Sequence, residues 1–352
     1  IYFNDGTGAP FTNNDTRLLS SSYAPTRAIK TVDIDLDGDL DIVEATEGST
    51  LIFYNTASSV DMSSTADVTF NNPISYSPQL KMEVADFNND GSLDIVAYNN
   101  VFLDDTDPNT APFTSPTVLT LGSSSKHFWA VADFNNDGWL DIARAAESPT
   151  SESEIYINDR VSNAPFNNTP GLIGTETVRA TGIDAGDVNN DGRVDLVISS
   201  ATDTGNNVIL YINDGIGNPF DSAGVELAGG LHNGNTVRLA DIDRDGDLDA
   251  ITETGQFTCN IRIYLNDSSA VNHSDIFANV DYTSAPYSCV KSIDMKVADL
   301  DNDGDLDIVT ANDTGVNNYF INDGVGNPFD NAESINALTA EPTYTREIEL
   351  LD

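Results

Sequence analysis

One nonamer recurs six times along the chain and constrains its fold more than any other feature. The first copy reads Asp33-Ile-Asp35-Leu-Asp37-Gly38-Asp39-Leu40-Asp41, and the others begin at Asp86, Asp133, Asp187, Asp241 and Asp299. All fit D-x-[DN]-x-D-G-x-[LV]-D, at spacings of 53, 47, 54, 54 and 58 residues. A period in this range, sustained over the whole length, is the mark of a repeat architecture.

Strand signals flank every copy. Short alternating runs come before it, as in Leu80–Ala85, Thr236–Ala240 and Asp294–Ala298. Apolar, β-branched runs follow it, as in Asp94–Ala97, Asp195–Ile198 and Asp307–Thr310. Such residues suit a half-buried pleated sheet. About half a repeat later, a further strand ends in Asn-Asp-Gly with Pro-Phe beyond, as at Asn213-Asp214-Gly215 with Pro219-Phe220 and at Asn322-Asp323-Gly324 with Pro328-Phe329. The Gly residues supply the positive φ of a tight connection. Four short strands per repeat predict β-propeller blades in an all-β chain, with residues 1–352 as a single domain.

The ends set the expected blade number. Seven hairpin turns can be counted, at Asn4, Asn55, Asp104, Asn158, Asn213, Asn266 and Asn322. A seventh leading strand, Arg346–Asp352, aligns with Ile293–Asp299. The expectation is therefore seven four-stranded blades, with the closing blade split between the two terminal segments. A blade cut at both ends also allows self-assembly through that blade. Opening as it does on Ile1-Tyr2-Phe3, the sequence reads as a mature product or an excised piece.

The nonamer has the chemistry of a divalent-cation loop. Ca²⁺ takes six to eight oxygens at about 2.3–2.6 Å. Asp or Asn at positions one, three and five aim side-chain oxygens inward, Gly at six permits the reversal, position seven offers its carbonyl, and Asp at nine closes the cage. About six Ca²⁺ sites are expected. The first four consist of Asp33, Asp35, Asp37, Asp39 and Asp41; of Asp86, Asn88, Asp90, Ser92 and Asp94; of Asp133, Asn135, Asp137, Trp139 and Asp141; and of Asp187, Asn189, Asp191, Arg193 and Asp195. The last two consist of Asp241, Asp243, Asp245, Asp247 and Asp249 and of Asp299, Asp301, Asp303, Asp305 and Asp307. An EF-hand does not fit. Glu44 falls at position twelve of the first loop, but Ala97, Arg144, Ile198, Thr252 and Thr310 stand at the equivalent places.

These loops and their spacing resemble the FG-GAP/VCBS repeat family, which includes the integrin α-subunit head. The resemblance implies a propeller, a calcium ion in each acidic loop between the first two strands of a blade, and an extracellular setting. It does not imply a single activity.

Charge narrows the partners. Against 57 Asp and Glu there are only 15 Lys and Arg, a formal net charge of −42, which opposes binding to nucleic acid and to anionic membrane surfaces. No apolar run is long enough to span a bilayer. Cys259 and Cys289, the only cysteines, are read as a disulfide pinning a loop in the longest repeat. Asn14, Asn167, Asn266, Asn272 and Asn312 lie in N-x-[ST] sequons.

Nine of the basic residues (Arg27, Lys30, Lys81, Lys126, Arg179, Arg238, Lys291, Lys296 and Arg346) lie in or just before the leading strands, which line the axis of a propeller. With His127, His232, Tyr23, Trp129 and Tyr287 they could hold an anionic sugar, as a polysaccharide lyase must. Against this, the position three residues before each loop carries Lys30, Glu83, Ala130, Asp184, Arg238, Lys296 and Glu349. Opposite charges around one ring favour mutual pairing. The leading expectation is a non-catalytic, extracellular, calcium-stabilised binding or adhesion module for a glycan or protein. A structural subunit of an extracellular assembly comes second and a lyase third.

Overall fold

The structure is a computed structural model. It describes residues 26–55, 66–71, 81–104, 113, 116–122, 126–148, 150–175, 177–201, 208–227, 233–255, 260–266, 276–277, 282–283, 292–313, 315–324, 329, 335–338 and 345–350. The described residues form six antiparallel sheets of four strands, each following chain order. The innermost strands are β1 (Thr26–Val32), β5 (Met82–Ala85), β9 (Lys126–Ala132), β13 (Ala180–Gly186), β17 (Asn233–Ala240) and β21 (Ser292–Ala298). Each pairs with a second strand: β2 (Asp41–Thr46), β6 (Asp94–Ala97), β10 (Asp141–Ala146), β14 (Asp195–Ser200), β18 (Asp249–Gly255) and β22 (Asp307–Asn312), of which all but β18 are buried throughout and β18 is buried over 249–253. No helix among the described residues is long and apolar enough to cross a membrane.

Register is the same in every inner hairpin. The residue before the nonamer pairs with its ninth: Val32 with Asp41, Ala85 with Asp94, Ala132 with Asp141, Gly186 with Asp195, Ala240 with Asp249 and Ala298 with Asp307. The acidic segment is thus an eight-residue loop between first and second strands, and all six loops leave their blades at one level.

The core is layered between blades rather than gathered at a centre. Val43, Ile52, Met82 and Ile95 join the first blade to the second, while Ala143, Ile155, Leu196 and Ile209 join the third to the fourth. Burial on both faces explains why second strands such as Asp195–Ser200 read as continuous apolar runs instead of alternating ones.

Six blades are present among the described residues, where the sequence predicts seven. The expected closing blade rests partly on Asn4, which lies outside the described residues. Its other part, the C-terminal leading strand, forms no strand and joins no sheet over residues 345–350. It lies between the first and sixth blades, where the Ile29 N–H donates to the Glu347 carboxylate at 2.6 Å and the Ile348 N–H to Asp294 at 3.1 Å. Ile348 and Leu350 pack on the sixth blade's Leu300, Val309 and Tyr319. Side-chain acceptors take these backbone donors, and among the described residues no hairpin partner builds a ladder on the segment.

Candidate metal loops and the axial ion network

All six nonamers follow one backbone path. The Gly at position six donates its N–H to the position-one carboxylate in each loop, from 2.7 Å at Gly138 to 3.1 Å at Gly246. The position-seven N–H, from Asp39, Ser92, Trp139, Arg193, Asp247 or Asp305, donates to the position-five carboxylate at 2.8–3.0 Å. Position six has φ between 84° and 100°, the region that favours Gly. Position four is also left-handed, and is occupied by Leu36, Asn89, Asn136, Asn190, Arg244 and Asn302.

At position nine the side chain does more than the sequence suggests. Asp41, Asp94, Asp141, Asp195, Asp249 and Asp307 are completely buried. One oxygen of each accepts the N–H of loop position two, at 2.7–3.1 Å. The other accepts the N–H of the distant turn residue, Asn55, Asp104, Asn158, Asn213, Asn266 or Asn322, at 2.7–2.8 Å. Each carboxylate therefore ties the loop to the outer hairpin of its own blade, with lone pairs left over for an ion. Burial, reinforced by the neighbouring acidic groups, pushes Asp94, Asp141, Asp195, Asp249 and Asp307 up to about 7 and Asp41 to about 6, against the pull of these N–H bonds.

The loops divide by position three. Where it is Asp, three acidic groups bring one oxygen each within 4.8 Å of one another: Asp33, Asp35 and Asp37; Asp241, Asp243 and Asp249; Asp299, Asp301 and Asp303. Two ligands on opposite sides of a calcium ion stand about 5 Å apart, so these groups could bind a metal ion. Burial, then like charge from the position-five Asp, raises Asp35, Asp243 and Asp301. One oxygen of Asp241 and one of Asp299 are buried with no hydrogen-bond partner, as expected of donors shaped for a cation. Where position three is Asn, its amide donates to the position-five carboxylate, Asn88 to Asp90 at 2.9 Å and Asn189 to Asp191 at 3.1 Å. Asn135 likewise bonds Asp137. For Asp137, burial would raise the carboxyl, but hydrogen bonds from Arg160 and Asn135 outweigh it and hold the group below its usual range.

Sequence reasoning treated the Asn of Asn-Asp-Gly as a turn former and missed its reach across blades. The amide of Asn158 donates to Phe87 O of the preceding blade at 2.7 Å and to Leu140 O of its own at 3.0 Å. Asn213 bonds Phe134 O and Val194 O, Asn266 bonds Val188 O and Leu248 O, and Asn322 bonds Ile242 O and Leu306 O in the same way. The recurring Asn at the head of these turns was the available signal. The Phe beyond the turn reinforces this contact, with Phe220 edge-on to Phe134 at 5.4 Å and Phe166 to Phe87 at 5.7 Å.

At the axis, the basic residues meet acids. Lys30 pairs with Glu83 at 3.0 Å, Lys81 with Asp294 at 2.7 Å and Glu347 at 3.2 Å, Arg238 with Asp294 at 2.7 Å, and Lys296 with Glu349 at 2.7 Å. The four basic residues line a cavity of about 280 Å³ with Glu83, Glu347, Trp129 and Asp184. Burial works against the ionised form of Asp294, but Lys81 and Arg238 outweigh it and hold the group far below the usual carboxylate range. Six of the nine cations proposed for a uronate, Arg27, Lys30, Lys81, Arg238, Lys296 and Arg346, are thus paired with protein carboxylates. Tyr23, His232, Lys291 and Tyr287, like Cys259, Cys289, Asn14 and Asn272, lie outside the described residues, as do the side chains of Lys126 and His127. Of the remaining sequons, Asn266 and Asn312 are buried and hydrogen-bonded, and Asn167 is exposed.

A ring of four-stranded blades with an acidic loop in each defines a β-propeller of binding or structural type. Residues 33–97 and 133–198 match the FG-GAP-like repeat family, and the chain carries these repeats within a β-propeller. No curated protein matches it in sequence. Among solved structures it is similar to the Dos1 propeller, with 14% identity over 92% of this chain and 72% of that one and a TM-score of 0.55. It is also similar to BBS1N in complex with ARL6DN, with 12% identity over 95% and 89% and a TM-score of 0.51. A chain of a humanized Chaetomium thermophilum Polycomb Repressive Complex 2 matches at 9% identity over 84% and 67%, with a TM-score of 0.51. At these identities the likeness is one of fold alone.

Proposed function

We propose that this chain is a calcium-stabilised binding module that works outside the cell, presenting its loops to a glycan or protein ligand. The observation that carries this reading is the pair of buried, unpartnered carboxylate oxygens at Asp241 and Asp299, in loops whose backbone path recurs six times. Crowded carboxylates repel, and an ion that binds only the folded loop stabilises the fold. At free calcium ~100 times the dissociation constant each site adds about 2.7 kcal/mol. Millimolar calcium is an extracellular condition, which supports the location. The paired axial cations argue for binding over sugar cleavage.

The test is thermal melting with calcium and with EGTA, followed by a glycan array and affinity capture with calcium present. A fall in Tm on chelation, restored by calcium but not by sodium at equal ionic strength, supports the reading. An unchanged Tm removes it.

A further inference from the structure

The six loops share a path but not an electrostatic state. In four of them the position-five N–H caps the position-one Oδ1, with Asp37 on Asp33, Asp90 on Asp86, Asp137 on Asp133 and Asp191 on Asp187, at 2.9–3.2 Å. In the loops at Asp241 and Asp299 the hydrogen bond recorded for that N–H goes to position three, from Asp245 to Asp243 at 3.2 Å and from Asp303 to Asp301 at 3.3 Å. The position-one Oδ1 is left buried and without a partner. A buried carboxylate oxygen lacking any donor is costly, and a cation relieves that cost directly.

The loops at Asp133 and Asp187 stand at the other extreme, because each already holds a cation. Arg160 lays Nη2 at 2.6 Å and Nε at 3.1 Å on Asp137 Oδ2. Arg193 places Nη2 2.7 Å from Asp191 Oδ2 and anchors its Nε on Asn213 O at 3.0 Å. Arg160 takes the turn position that is Gly215 or Gly324 in later blades, and does so with a left-handed φ of 62°. Arg193 is the seventh residue of its own loop. Both guanidinium groups occupy a position-five oxygen, one of the oxygens an entering ion must claim.

We infer that the loops fill with divalent ions in a fixed order, those at Asp241 and Asp299 first and most tightly, those at Asp133 and Asp187 last, with Arg160 and Arg193 as the built-in competitors. The inference rests on the calcium reading of the loops and adds their rank. The two early loops are also neighbours, linked by Arg244 to Asp305 at 3.1 Å. That contact uses the side chain of position seven and leaves the ligand oxygens of positions one, three and five uncovered.

The experiment is calorimetric titration of the chelator-stripped full chain with calcium chloride. Two or more affinity classes are expected, the tightest of about two equivalents. A D241N/D299N variant should lose that class and keep the rest. R160Q, an exposed substitution outside the core, should tighten one late site about two- to fivefold, the range of an exposed ion pair. A single class of equal sites overturns the rank, as does an R160Q isotherm that superposes on the parent's. Absence of any calcium uptake would instead refute the calcium reading beneath it, and the rank with it.

Discussion

Position nine shows how much one side chain can carry. The Asp195 carboxylate joins Val188 N–H at the loop to Asn213 N–H at the turn, so it holds the blade together whether or not an ion is present. Asp195→Asn replaces one acceptor with an NH₂ group that must face a backbone N–H. We expect a loss of about 2–4 kcal/mol, read as a lower urea midpoint at unchanged slope. Asn213→Ala leaves that carboxylate in place but frees Phe134 O and Val194 O, with an expected cost of about 1–3 kcal/mol. The six carboxylates at this position were visible in the sequence as a pattern. Their hydrogen bonds were not, because the partners are backbone N–H groups that any residue supplies. Arg160 and Arg193 were equally hidden. Arg193 was read only for its carbonyl, and Arg160 lies 23 residues from the Asp137 it neutralises.

At the scale of the strand and hairpin, alternation and turn chemistry located most elements. The six leading strands before the nonamers, the second strands and the described turns from Asn55 to Asn322 lie where the pattern puts them, since period-two patterning and Gly placement are local signals. Packing between blades is not local. Gly182 in β13 illustrates this, since a Cβ there would sit 3.1 Å from Thr236 Cα and 2.9 Å from Ser199 Oγ. β13 and β17 approach at the axis with no room for a methyl group. Gly182→Ala should therefore cost about 1–3 kcal/mol, whereas Gly217→Ala, in a turn with open space around it, should show only the strain of its positive φ. Comparing the two by thermal melting separates crowding from conformation.

For the whole molecule, the number of blades was the least legible property. Period and turn count gave seven, but closure of a ring depends on how its first and last elements meet, and no local signal encodes that. In the structure the meeting is polar. Lys81 of the second blade reaches Asp294 of the sixth and Glu347 of the C-terminal segment, and Glu347 in turn holds Ile29 of the first. Burial pushes Glu347 up to about 7, despite Lys81. Its carboxyl is thus protonated in the folded protein at pH values where the unfolded chain, near 4.5, has already released the proton. Its contribution to stability is complete below about 4.5 and is lost as pH rises through 7. Glu347→Gln should flatten the fall in urea midpoint across that window by about 1–3 kcal/mol, measured at constant calcium. Net charge acts on the same scale. Six divalent ions would lift −42 to roughly −30, so added salt should stabilise the metal-free form more than the loaded one.

The Asn amides have a consequence for the order in which the chain matures. Each reaches backward, to a carbonyl that lies 71 to 80 residues earlier. During synthesis the second to fifth blades can therefore pair their strands as soon as they emerge from the ribosome, yet the loop of each meets its Asn amide only when the next blade has arrived. Maturation runs along the polypeptide like a zip drawn one tooth behind the slider, and a nascent chain stalled between blades would carry one acidic loop still open to chaperones or proteases.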